Sequence, residues 1–85
     1  MRISTYPTHF VQTVTVEINT NRDSHCIIAL TSETGKILRM MGVDLNQGHN
    51  HITIDDLDAL TAGTYLLHVK NVDGDFLYDT ELIKP

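Results

Sequence analysis

The chain has 85 residues, 41% of them hydrophobic and 20% charged, with a net charge of −5. That is room for one domain and too little for two, and it is too apolar for a disordered tail. No apolar run approaches the ~20 residues of a spanning helix. The acidic balance argues against a nucleic-acid binder, which must present a basic face to phosphates.

The opening Met1-Arg2-Ile3-Ser4-Thr5-Tyr6 has no apolar core of the kind a secretory signal needs. Two readings follow: a cytoplasmic protein, or a piece of a longer precursor whose signal lies upstream. Ile3 to Tyr6 reads as a short first strand ended by Pro7. Thr13 to Asn19 then alternates, with Val14, Val16 and Ile18 on one face and Thr15, Glu17 and Asn19 on the other. A period of two marks a half-buried strand. Asn21-Arg22-Asp23-Ser24 interrupts it, and His25 to Thr31 follows with Cys26, Ile28 and Leu30 inward. Cys26 is the only cysteine, so no internal disulfide forms. Its neighbours place it in the core, where a thiol packs and does not react.

Glu33 to Lys36 reads as a tight turn in which Gly35 supplies positive φ, making a hairpin with the next strand. That strand, Lys36 to Leu45, has its faces blurred by Met40-Met41-Gly42. Asn46-Gln47-Gly48 turns the chain into His49 to Asp55, with Ile52 and Ile54 inward and both histidines outward. Asp56 to Ala62 is a loop or a single helical turn anchored by Leu57 and Leu60, with Asp55 or Asp56 positioned to cap it. Gly63 opens Thr64 to Val69, where Tyr65, Leu67 and Val69 share a face. Asp73-Gly74 is a two-residue hairpin signal, and Phe76 to Ile83 is the last strand. No helical period is sustained anywhere. Seven strands at a spacing of about 8–12 residues point to an all-β fold. The expectation is an immunoglobulin-like antiparallel β-sandwich of about seven strands, filling residues 1–85 as one unit.

Leu60-Thr61-Ala62-Gly63-Thr64-Tyr65 is the most specific local pattern. A tyrosine two residues after a glycine, entering a strand, resembles the corner tyrosine of immunoglobulin-like sandwiches. There the ring packs in the core and the hydroxyl bonds back to loop backbone. Tyr65 and the turn glycines Gly35, Gly63 and Gly74 are therefore read as structural.

His49 and His51, two apart on a strand, leave the same face and could share a cation. Two ligands do not make a zinc site and Thr53 follows where a third would help, so a solvated polar face is preferred and no metal is assigned. His9, His25 and His68 are scattered in sequence. Asn71-Val72-Asp73-Gly74-Asp75 has the alternating oxygens of a calcium loop, but it lacks a later bidentate Glu and flanking helices, so the hairpin turn accounts for it better. Asp55-Asp56-Leu57-Asp58 reads as a solvated acidic loop; weak calcium binding is the alternative at both clusters. No nucleophile elbow, phosphate-cradling glycine loop or zinc-spaced Cys/His set occurs, and nothing asks for a cofactor or for catalysis.

A longer-range order also runs through the chain. Tyr6-Pro7 is followed by Val14-Thr15-Val16-Glu17-Ile18, then Thr34-Gly35-Lys36-Ile37-Leu38, then Leu45-Asn46-Gln47-Gly48-His49-Asn50. Leu60 to Val69 and a terminal Leu82-Ile83-Lys84 complete it. Together these resemble the type A C-terminal sorting domain of the type IX secretion system of the Bacteroidetes. The chain departs from that pattern at Thr8 and His9, where members continue Asn-Pro, and at Glu81, where a basic residue is common. Leu30-Thr31-Ser32-Glu33 also replaces the more usual Leu-Tyr-Asp form before the Thr-Gly-Lys turn.

The resemblance implies a non-catalytic domain at the end of a larger secreted protein. It would be recognised by outer-membrane translocon proteins and would direct its cargo to the cell surface, with the last strand and the terminal Leu-Ile-Lys segment thought to matter most. The expected contact residues are Phe76, Tyr78, Thr80, Glu81, Leu82, Ile83 and Lys84, along an exposed sheet edge able to pair with a partner strand or with a second copy. The alternative is an accessory adhesion or ligand-binding module, which could sit inside a chain, whereas a sorting domain must end it.

Overall fold

Period-two alternation becomes seven strands in the computed structural model, which describes residues 1–85. They are β1 (Arg2–Tyr6), β2 (Val14–Thr20), β3 (Ser24–Ser32), β4 (Ile37–Leu45), β5 (Gly48–Ile54), β6 (Gly63–Lys70) and β7 (Phe76–Lys84). Two antiparallel sheets face each other, with orders β1-β2-β5 and β4-β3-β6-β7. The chain is thus an all-β two-sheet sandwich. Strand residues alternate across the pleat, so each sheet turns one apolar face inward.

Val14, Val16 and Ile18 from β2 meet Cys26, Ile28 and Leu30 from β3 and Tyr65, Leu67 and Val69 from β6, all buried. Each fully buried aliphatic side chain stabilises the fold by about 1.5–3 kcal/mol relative to exposure. The register settles the ambiguity at the methionines. Met41 lies opposite Ile28 and packs on the core, whereas Met40 lies opposite Ala29 and is exposed. Ile52 is only half-buried, because β5 is an edge strand of the smaller sheet.

Two turns sharpen or correct the expectation. Residues after Ile54 take the loop of the two alternatives; Leu60 donates its N–H to the Leu57 carbonyl in a β-turn, and neither Asp55 nor Asp56 caps it. Asp56 instead takes a left-handed backbone conformation, which Asp tolerates better than most residues. Between β6 and β7 the Asn71 N–H donates to the Asp75 carbonyl, which leaves a tight loop of three residues, Val72 to Gly74, not two. Gly74 N–H reaches the Asn71 carbonyl, and Gly74 itself has φ 88°. A glycine in that conformation ends a three-residue hairpin loop with a bulge.

The core is closed by residues outside the alternating pattern. Phe10, in the connection from β1 to β2, is fully buried, edge-on to Tyr65 at 5.8 Å between ring centroids. Its backbone N–H donates to the Ile83 carbonyl, and Ile83 N–H donates to the Thr8 carbonyl. The first strand thus belongs to the smaller sheet while the residues after it run parallel to the end of β7 in the larger one. The Tyr65 hydroxyl donates to the Thr61 carbonyl at 2.5 Å, the bond back to loop backbone expected of a corner tyrosine.

At the C-terminal end Lys84 is 9% exposed. Its Nζ donates to the carbonyls of Leu57, Asp58 and Leu60 at 2.8, 2.6 and 2.7 Å. A buried ammonium is tolerated only when its donors are satisfied, and here one loop satisfies all three. Lys84→Met keeps the stem, removes the donors and should lower unfolding stability by about 2–4 kcal/mol in urea denaturation. Wild-type stability for that variant would show that the three bonds contribute nothing. Tyr65→Phe should cost about 1 kcal/mol in the same measurement, the loss of one hydrogen bond with packing intact.

Candidate functional site

β7 forms one edge of the four-stranded sheet. Along an antiparallel strand the backbone groups of successive residues point alternately toward the partner strand and away from it. The outward N–H of Ile83 donates to the Thr8 carbonyl and its outward C=O accepts from the Phe10 N–H, so this end of the edge is already paired. Register with β6 is unbroken from Lys84 back to Tyr78. The outward groups of Glu81 and Asp79 therefore point the same way as those of Ile83, and they meet no backbone partner.

The expected contact residues divide accordingly. Leu82 and Lys84 are buried, and Ile83 is half-buried and paired laterally with the residue 8–10 segment. Tyr78 and Thr80 also turn inward, the Tyr78 hydroxyl being hydrogen-bonded to the Thr5 hydroxyl of β1 at 2.9 Å. Phe76 and Glu81 are exposed, as are Leu77 and Asp79 between them. Phe76 is 61% exposed, stands edge-on to His68 and carries the Lys70 ammonium over its ring at 5.0 Å. His68 is hydrogen-bonded through Nδ1 to Asp79. The first half of β7 is thus an exposed ribbon with an aromatic at its start, and the second half is built into the body.

A second constellation lies on the outer face of the smaller sheet. Glu17 on the central strand β2 is directly opposite His51 on β5, and His49 is one diagonal step away. The Tyr6 hydroxyl donates to Glu17 Oε1 at 2.9 Å and lies 3.0 Å from His51 Nε2. Both imidazoles face the same carboxylate oxygen, His51 Nε2 at 3.2 Å and His49 Nε2 at 3.5 Å. The Tyr6 hydroxyl, then the two histidines, hold the Glu17 carboxyl below the usual range, and the same bond to Glu17 pushes the Tyr6 phenol up. The histidine pair was visible as a same-face pair in the sequence. Glu17 and Tyr6 were not assigned to it, since only the β1-β2-β5 pairing brings them together.

The other sequence candidates are occupied with structure. Asn71 Oδ1 accepts the N–H groups of Asp73 and Asp75, so the oxygen that would lead a calcium loop holds the hairpin. Asp55, Asp56 and Asp58 are exposed, and the carbonyls of their loop are engaged by Lys84 and by Arg39, which donates to the Asp56 carbonyl at 3.0 Å. Burial pushes the Cys26 thiol up, away from the reactive thiolate.

No curated protein matches the sequence. A crystal structure of the GH3 β-glucosidase of Bifidobacterium adolescentis is similar over 96% of this chain, with a TM-score of 0.55 and 15% identity. The chain spans only 16% of that enzyme's length, and at this identity the likeness concerns the fold alone. The family model described as the secretion system C-terminal sorting domain matches residues 4–81, from β1 into β7. That match covers nearly the whole sandwich, and the chain belongs to the family of type IX secretion C-terminal sorting domains.

Proposed function

We propose that this domain ends a longer exported protein and delivers that cargo to the outer-membrane secretion machinery by offering the free half of β7 to a partner strand. Proteins of this family reach the cell surface or the extracellular space across the outer membrane, and the family is non-catalytic in general. The observation that supports the docking edge is the division of β7. Unpaired backbone groups at Asp79 and Glu81 stand beside exposed Phe76 and Leu77, whereas Leu82 to Lys84 are anchored. An edge with free donors and acceptors is a template for strand addition, and neighbouring side chains select the partner. Leu82, Ile83 and Lys84 then act by holding β7 in register, not by touching the translocon. The same edge is open to a second copy, which would give an edge-paired dimer.

The reading is tested with the domain fused to a secreted reporter, following the fraction delivered to the surface. Glu81→Pro removes an outward N–H and leaves the bonds to β6 intact, a change tolerated on sheet edges. It should abolish most surface delivery while the purified domain still melts cooperatively. Full delivery by a folded Glu81→Pro domain would refute the edge. Delivery that survives removal of the whole domain would refute the sorting role itself.

A further inference from the structure

The Tyr6, Glu17, His49 and His51 cluster plays no part in the docking edge. It lies on the outer face of the other sheet. A carboxylate oxygen has two imidazole nitrogens within 3.5 Å, and no lysine or arginine pairs with it. Neutral imidazole nitrogens and a carboxylate oxygen are all electron-pair donors, the groups a metal ion gathers.

The spacing of the three positions is compatible with one ion. The ligand atoms of a tetrahedral zinc ion, each about 2.0–2.1 Å from the metal, lie about 3.3 Å from one another. The two nitrogen–oxygen separations here, 3.2 and 3.5 Å, bracket that edge length. As the rings stand, no three of these groups already enclose a metal position. The ring centroids of His49 and His51 are 6.4 Å apart, and both side chains are 61% exposed, so a rotation about χ1 or χ2 meets little packing. Glu17, at 28% exposure and held by Tyr6, is the fixed member. A shallow concavity of about 400 Å³, lined by Arg2, Ser4, Glu17, Asn19 and His49, leaves room beside it for a water ligand.

We propose that Glu17, His49 and His51 form a binding site for one divalent transition-metal ion of the zinc class, with the Tyr6 hydroxyl orienting the carboxylate. Two nitrogen donors and one oxygen suit zinc, copper or nickel; calcium and magnesium take oxygen ligands. An outer partner that fixes a ligand in place is the usual support for such a site. Bound metal would cross-link β2 to β5 and stabilise the smaller sheet, since a ligand that binds only the folded state raises its stability.

The test uses the 85-residue domain with zinc chloride, by titration calorimetry and by thermal melting, with calcium chloride for comparison. One saturable zinc site and a melting temperature that rises with zinc but not with calcium are expected. Glu17→Gln, His49→Asn and His51→Asn should each weaken zinc by more than about tenfold. All three positions are on the outer face, so the metal-free melts should stay cooperative. His25→Asn and His68→Asn, which alter the two other histidine–aspartate pairs, should leave zinc binding unchanged. The proposal fails if zinc binding does not saturate, if Glu17→Gln binds as wild type, or if loss of His25 or His68 is what abolishes binding.

Discussion

Lys84 carries a charge into a place where water cannot satisfy it, and three carbonyls of one loop meet it there. That requirement ties the end of β7 to residues 57–60, and through Leu57 to the core. It also fixes where Ile83 lies, and Ile83 in turn receives the segment from Thr8 to Phe10. Phe10 then closes the sandwich against Tyr65. The opening residues, the mid-chain loop and the terminal strand are therefore one mechanical unit, assembled around a single ammonium group. A cluster of aspartates at 55–58 looks like an invitation to a metal, yet the cation its loop carbonyls receive is supplied from within the chain.

Much of this architecture was legible as alternation. The inward sets at Val14-Val16-Ile18, Cys26-Ile28-Leu30 and Tyr65-Leu67-Val69 follow from period two alone, because the pleat leaves no other choice. The Thr61-to-Tyr65 corner was legible from its glycine and tyrosine spacing. Phe10 was not, because it sits in a connection with no period to report its face. Lys84 was misleading in the opposite sense. It was expected among the contact residues of an exposed edge, and nothing local shows that three carbonyls wait for it. Asp73-Gly74 suggested the shorter of two hairpin loops because the dipeptide is compatible with both, and the Asn71 side chain, which holds the longer one, was given no part in the turn.

Pairing across strands was the information that could not be had from residues in order. Glu17 and His51 are 34 positions apart and become direct neighbours only because β2 and β5 share a sheet. The same holds for the division of β7. Its place as a terminal strand was legible in sequence, but only the residue 8–10 segment decides which part of its edge remains open. Edges matter in a domain that leaves the cell, since a strand with free backbone groups attracts intended and unintended partners alike. Here the open stretch is short, begins with an aromatic and is interrupted by the charges of Asp79 and Glu81, a composition that limits indiscriminate pairing.

The parallel contact between His9 and Ile83 has a consequence for force. Two neighbouring strands that run in the same direction slide past each other when the molecule is stretched from its opposite termini. Both hydrogen bonds at Ile83 are then strained lengthwise and together, whereas antiparallel neighbours joined by a hairpin would open one bond at a time. A domain tethered to cargo at its front and engaged near its tail would be stretched in this way, and the small patch joining its first residues to its last is oriented to withstand that pull.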